Sequence, residues 1–81
     1  MEKAQITDIV LKIVQKLTNQ NMPISANDSL EKDCGLSSID LIDLIVRIED
    51  EIGFEFNDVD LLFSNFENVS KIVNVIARNI L

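Results

Sequence analysis

Ser37-Ser38-Ile39-Asp40-Leu41-Ile42-Asp43-Leu44-Ile45-Val46-Arg47-Ile48-Glu49-Asp50-Glu51-Ile52-Gly53 is the stretch that decides the fold. Ser37 and Asp40 stand three apart, as in a capping box with Asp in place of the longer Glu or Gln, so Ser37 is the natural N-cap of a helix and Ser38 its first residue. Gly53 suits the left-handed position that closes such a helix. At about 100° per residue, Leu41, Leu44, Ile45, Ile48 and Ile52 gather on one face and make a core stripe. Ile39, Ile42 and Val46 form a second apolar stripe about 100–160° away, with Asp43 and Asp50 beside it and Glu49 on its other flank. A simple surface helix needs only one such stripe. The second either lies under the bundle's long loop or faces a partner.

Toward the N-terminus, Ile6, Ile9, Val10, Ile13, Val14 and Leu17 recur at helical spacing and predict a helix over residues 3–18. Asn19-Gln20-Asn21-Met22-Pro23 breaks the period with turn formers and a proline. A loop of about 18 residues follows, beyond the ~12–15 at which loops are usually functional or disordered. Ile24, Leu30 and Leu36 are apolar enough to pin it to a core, which predicts order. Toward the C-terminus, Phe54-Glu55-Phe56 reads as a short extended connection and Asn57 as the cap of a brief third helix over residues 58–63. Asp58 and Asp60 fall in its first turn, where the helix dipole favours anions. Asn68 caps a final helix in which Val69, Ile72, Val73, Ile76 and Ile80 repeat at helical spacing, with Arg78 in the last turn. The expected fold is all-α: one domain over residues 1–81, a small four-helix bundle with a long loop between helices one and two and a short third helix.

Composition removes most chemistries. With 81 residues there is room for one domain, and 47% hydrophobic content excludes a disordered tail. The chain has no histidine, tryptophan or tyrosine and a single cysteine, which excludes His-dependent triads, His-bearing metal sites, CxxC pairs and internal disulfides. That cysteine, Cys34, reads as a structural or incidental loop thiol. Asp58-Val59-Asp60 begins like a calcium loop, but Leu62, Phe63 and Val69 stand where that loop requires a ligand, a glycine and a glutamate, so no metal is expected. The carboxylates of the second helix have no nucleophile or oxyanion donor beside them, so the chain is not expected to be an enzyme. A net charge of −7 opposes nucleic acid and anionic lipid and points to basic proteins as partners. No uncharged stretch approaches the ~18 apolar residues of a membrane span. The polar start Met1-Glu2-Lys3-Ala4-Gln5 does not read as a secretory signal, and a lone cysteine suits the reducing cytoplasm. A cytoplasmic monomer without membrane insertion is expected.

Ser38 stands out against this background. Its hydroxyl is not needed for capping and points to solvent at the positive end of the dipole, where an attached phosphate group would meet backbone N–H groups. Gly35-Leu36-Ser37-Ser38-Ile39-Asp40 resembles the Gly-x-Asp-Ser-Leu-Asp motif of acyl and peptidyl carrier proteins, with Ser38 in the place of the modified serine. The resemblance covers nearly the whole chain. It includes the first helix, the loop holding Asp28-Ser29-Leu30, the serine-started helix with Glu49-Asp50-Glu51, and the last helix opened by Phe66-Glu67-Asn68-Val69.

The resemblance implies that a phosphopantetheinyl transferase moves 4′-phosphopantetheine from coenzyme A onto Ser38. The terminal thiol of that arm would carry acyl intermediates as thioesters in fatty-acid, polyketide or related biosynthesis, or aminoacyl and peptidyl groups in the alternative. It also implies docking on the second helix: Ile39, Ile42 and Val46 as an apolar strip, and Asp43, Glu49 and Asp50 as partners for basic patches on acyl-loading and acyl-processing enzymes. Part of an acyl chain could shelter between the second, third and fourth helices, among branched aliphatics such as Ile45, Ile48, Val69 and Ile72. Two positions depart from the family pattern, Ser37 for its usual aspartate and Asn57 for a common proline. The first removes a charge and bears on which transferase and synthase enzymes accept the chain. From another class, the sequence is also compatible with an unmodified acidic module that binds a partner through the strip alone.

Overall fold

The computed structural model describes residues 1–18, 21 and 23–81. Three α-helices, α1 (Lys3–Thr18), α2 (Ser38–Ile52) and α3 (Val69–Ile80), are joined by the long loop and by two 3₁₀ turns, Asp58–Asp60 and Phe63–Phe66. α1 packs against both α2 and α3. Their apolar faces meet in one core, where Ile6, Val10 and Val14 of α1 lie against Leu44 and Ile48 of α2 and Val69, Ile72, Val73, Val75 and Ile76 of α3. Among the described residues no helix is long and apolar enough to cross a membrane.

The ends of α1 fall where the hydrophobic period starts and stops. Of the turn formers expected after it, Asn19, Gln20 and Met22 lie outside the described residues. Beyond them the loop is ordered, as its apolar residues required. Leu30 and Leu36 are buried, and Ile24 packs against the core. Inside the loop the Leu36 N–H donates to the Leu30 carbonyl, and backbone bonds stitch the loop to the start of α3, the Leu30 N–H donating to the Glu67 carbonyl and the Ser70 N–H to the Ala26 carbonyl, each at 2.9 Å. The last of these gives one of the otherwise unpaired first-turn N–H groups of α3 a partner. Asn68 caps the same helix through its side chain, which accepts from the Lys71 N–H at 2.8 Å.

The expected short third helix takes the form of the two 3₁₀ turns. Asn57 stands at the N-cap position of the first of them but makes no side-chain cap bond, and its Nδ2 donates to Asn79 Oδ1 on α3 at 3.0 Å. Leu61 then leaves helical geometry at φ −84°, ψ 58°. Asp60 ties this segment to the end of α3: its carboxylate accepts from Asn79 Nδ2 at 3.1 Å and lies 3.8 Å from the Arg78 guanidinium.

Candidate functional site

The loop positions the start of α2. Gly35 takes φ +71°, a left-handed conformation that side chains rarely adopt, and turns the chain into Leu36, whose buried side chain anchors the residues that follow. The capping box then forms as its spacing required. Ser37 Oγ accepts from the Asp40 N–H at 3.3 Å and donates to Asp40 Oδ2 at 3.0 Å, while Asp40 Oδ2 accepts from the Ser37 N–H at 2.8 Å. Both functional groups of Ser37 are thus engaged. Ser38, next to it, is exposed, and among the described residues its hydroxyl has no hydrogen bond within the chain. The N–H groups of Ser38 and Ile39, at the positive end of the helix, are likewise without an acceptor among the described residues.

The second apolar stripe of α2 is not under the loop. Ile39 is 78% exposed, Ile42 63% and Val46 49%. The acids around it are less free than angular position suggested. Asp43 is bonded to Arg47 Nε at 3.1 Å, one turn along the same helix. Glu49 accepts the Phe56 N–H at 2.9 Å, so its carboxylate holds down the chain that leaves Gly53. Gly53 itself sits at φ +81°, the closing conformation expected of it. Asp50 is exposed and borders a groove shared with Lys12 and Lys16 of α1.

Of the expected core stripe, Leu44 and Ile48 fill the interior, while Ile45, like Leu41 and Ile52, packs against the core only half-buried. For Ile45 the reason lies opposite. The 3₁₀ turns stop short of covering this side of α2 and leave a half-open apolar chamber of about 240 Å³, walled by Leu41, Ile42 and Ile45 on one side and Leu61, Phe63 and Phe66 on the other. Ser38 lines it as well. Of the aliphatics expected to shelter a chain between the second, third and fourth helices, only Ile45 lines the chamber, Ile48, Val69 and Ile72 being closed in the core, and the sequence reading placed none of the residues of the far wall there. Its signal was the apolar run Leu61-Leu62-Phe63, too dense for a three-residue turn to bury. Phe66 is buried and stacks edge-on against Phe56, ring centroids 5.4 Å apart, which fixes the floor of the chamber to the core.

Cys34 is buried in the core cluster, and burial, reinforced by the Asp28 and Asp33 carboxylates, pushes its thiol above its ordinary pKa. It is therefore a protonated packing residue, as expected of a loop thiol of this kind.

Residues 8–76 match the protein family described as Phosphopantetheine attachment site. The chain belongs to this family of carriers. It is 31% identical over 81 residues to the acyl carrier protein of Coprothermobacter proteolyticus, covering 99% of this chain and 96% of that one. It is 34% identical over 61 residues to acyl carrier protein 2, mitochondrial, of Arabidopsis thaliana, covering 72% of this chain and about half (47%) of the plant protein. The prosthetic group of the carrier family is a covalently attached 4′-phosphopantetheine.

Proposed function

We propose that Ser38 carries the 4′-phosphopantetheine and that this carrier transports acyl groups between enzymes that load and process them. The observation that carries the assignment is the contrast between two neighbouring serines. Ser37 is committed to the capping box through both its hydroxyl and its N–H. Ser38 presents an exposed hydroxyl with no bond to the described residues, beside its own N–H and that of Ile39, which likewise find no acceptor among them. Those two N–H groups and the helix dipole suit a phosphate attached at Ser38. The attached group supplies a terminal thiol that holds acyl groups as thioesters.

The apolar chamber that Ser38 lines supports an acyl cargo over an aminoacyl or peptidyl one, since a saturated chain loses water contact there without stranding a polar group. The exposed stripe Ile39, Ile42 and Val46 serves as the docking strip, and Asp43, Glu49 and Asp50 bring basic surfaces to it. Catalysis is left to those enzymes. Incubation with coenzyme A, Mg²⁺ and a broad-specificity phosphopantetheinyl transferase, followed by intact mass and peptide mapping, tests the reading. One added phosphopantetheine on the peptide holding Ser38 is expected. An unmodified chain would leave an acidic interaction module as the better account.

A further inference from the structure

The apolar chamber has a neighbour. A polar cleft runs beside it, bordered by Ser29, Lys32 and Asp33 of the loop and by Glu67 and Asn68 at the start of α3. The two spaces share three side chains, Leu41, Phe63 and Phe66. These three are therefore the partition between an apolar volume and a charged one. Two are fixed: Leu41 belongs to α2 and packs against the core, and Phe66 is buried against Phe56. Phe63 is 73% exposed and belongs to neither of the ring pairs formed among the described residues.

We infer that Phe63 is the specificity-determining wall of the chamber, closing it against the polar cleft and so setting the length of acyl chain the carrier can shelter. The inference rests on the reading that Ser38 bears an acyl-loaded arm. An empty apolar cavity of about 150 Å³ holds a six-carbon benzene, so about 240 Å³ corresponds to roughly eight to ten carbons. A chain of that length fills the space that the ring bounds on the side of the polar cleft. Without the ring, its end opens onto Lys32, Asp33 and Glu67, where water and charge replace apolar contact and burial ceases to be favourable.

The test is cleavage of the thioester by hydroxylamine across a series of arms loaded with acetyl to palmitoyl, read by intact mass on the wild-type carrier, Phe63→Ser and Phe63→Leu. In the wild type, cleavage slows as the chain lengthens to about eight to ten carbons and slows no further beyond. In Phe63→Ser the octanoyl form is cleaved at the rate of the acetyl form, while Phe63→Leu, which keeps an apolar wall, keeps the wild-type profile. Circular dichroism melts of both variants stay near the wild type, since an exposed ring adds little to folding. A large loss of melting temperature would make Phe63 a core residue and overturn its role as a wall. A Phe63→Ser profile identical to the wild type would overturn the partition while leaving sheltering intact. Cleavage independent of length in the wild type itself would overturn sheltering, even with the arm mapped to Ser38.

Discussion

Replacing each of the two adjacent serines in turn separates a structural role from a chemical one. Ser37→Ala removes a hydroxyl that accepts the Asp40 N–H at 3.3 Å and donates to Asp40 Oδ2 at 3.0 Å. Loss of an N-cap costs about 0.5–2 kcal/mol, and the long 3.3 Å bond places this one near 1 kcal/mol. In a domain of this size that lowers Tm by about 4–8 °C. Asp40→Ala removes the other half of the box, including the 2.8 Å bond from the Ser37 N–H, and shares with Ser37→Ala only the Ser37 Oγ–Asp40 Oδ2 bond, so the double variant falls short of the sum of the singles by that one bond. Ser38→Ala deletes a hydroxyl with no bond to the described residues and installs the best helix former, so stability stays within about 0.5 kcal/mol of the wild type. Circular dichroism melting gives the first set of numbers, and mass after transferase treatment gives the second. Ser37→Ala still accepts the arm, and Ser38→Ala does not. The reasoning is refuted if Ser38→Ala melts as low as Ser37→Ala, or if the arm maps to Ser37.

The core and the docking strip separate in the same way: Leu44→Ala, fully buried, costs about 2–5 kcal/mol in urea unfolding, whereas Ile39→Ala and Val46→Ala cost about 0.5 kcal/mol or less and instead slow transfer to a partner enzyme. Equal destabilisation by all three would make the strip core. Asp43→Lys slows partner association most at low ionic strength, and the effect shrinks at physiological salt, where the Debye length is about 8 Å; a loss that persists in salt would place Asp43 inside the interface. Cys34 adds a pH dependence. Its thiol pKa is raised in the folded state, so folding holds the proton that the unfolded chain releases, and stability declines as pH rises through the ordinary thiol value of about 8.5. Urea titrations from pH 7 to 10 should show a steeper alkaline decline for the wild type than for Cys34→Ala, and parallel curves would disprove the assignment.

The boundaries of α1 and α2 were legible because local signals agree there, with a 3.6-residue period along both helices and α2 capped by Ser37, Asp40 and Gly53. The segment after Phe56 was not. Val59, Leu62, Phe63 and Phe66 keep the i, i+3, i+4, i+7 spacing of one helix, yet the segment breaks into two 3₁₀ turns at Leu61, and Asn57 joins its side chain to Asn79, a partner 22 residues away. Ile45 shows the limit of angular reasoning: its direction on α2 is that of a core residue, yet its burial depends on an element too short to cover it. Glu49 shows the same limit for charge. Its place beside the strip marked it for a partner, but the left-handed turn at Gly53 folds the chain back and delivers the Phe56 N–H to its carboxylate.

These contacts bear on the docking face proposed for α2. A net charge of −7 suggests a surface that attracts basic proteins everywhere, but the acids flanking the strip are not equivalent. Asp43 shares its charge with Arg47, Glu49 is anchored to backbone, and Asp50 looks across a groove toward Lys12 and Lys16. Exposed pairs of the Asp43–Arg47 kind are worth about 0–1 kcal/mol and are screened by salt, so the acids contribute mainly to the rate of encounter. On the proposed docking reading, affinity then falls to the exposed apolar surface of Ile39, Ile42 and Val46, and Ile42 also walls the chamber. On the proposed reading, an enzyme that covers Ile42 would touch a wall of the chamber proposed for the cargo, which would couple docking to release of the acyl chain through one side chain. Ile42→Ala perturbs both at once, and Ile39 and Val46, outside the chamber, are the positions at which docking alone can be measured.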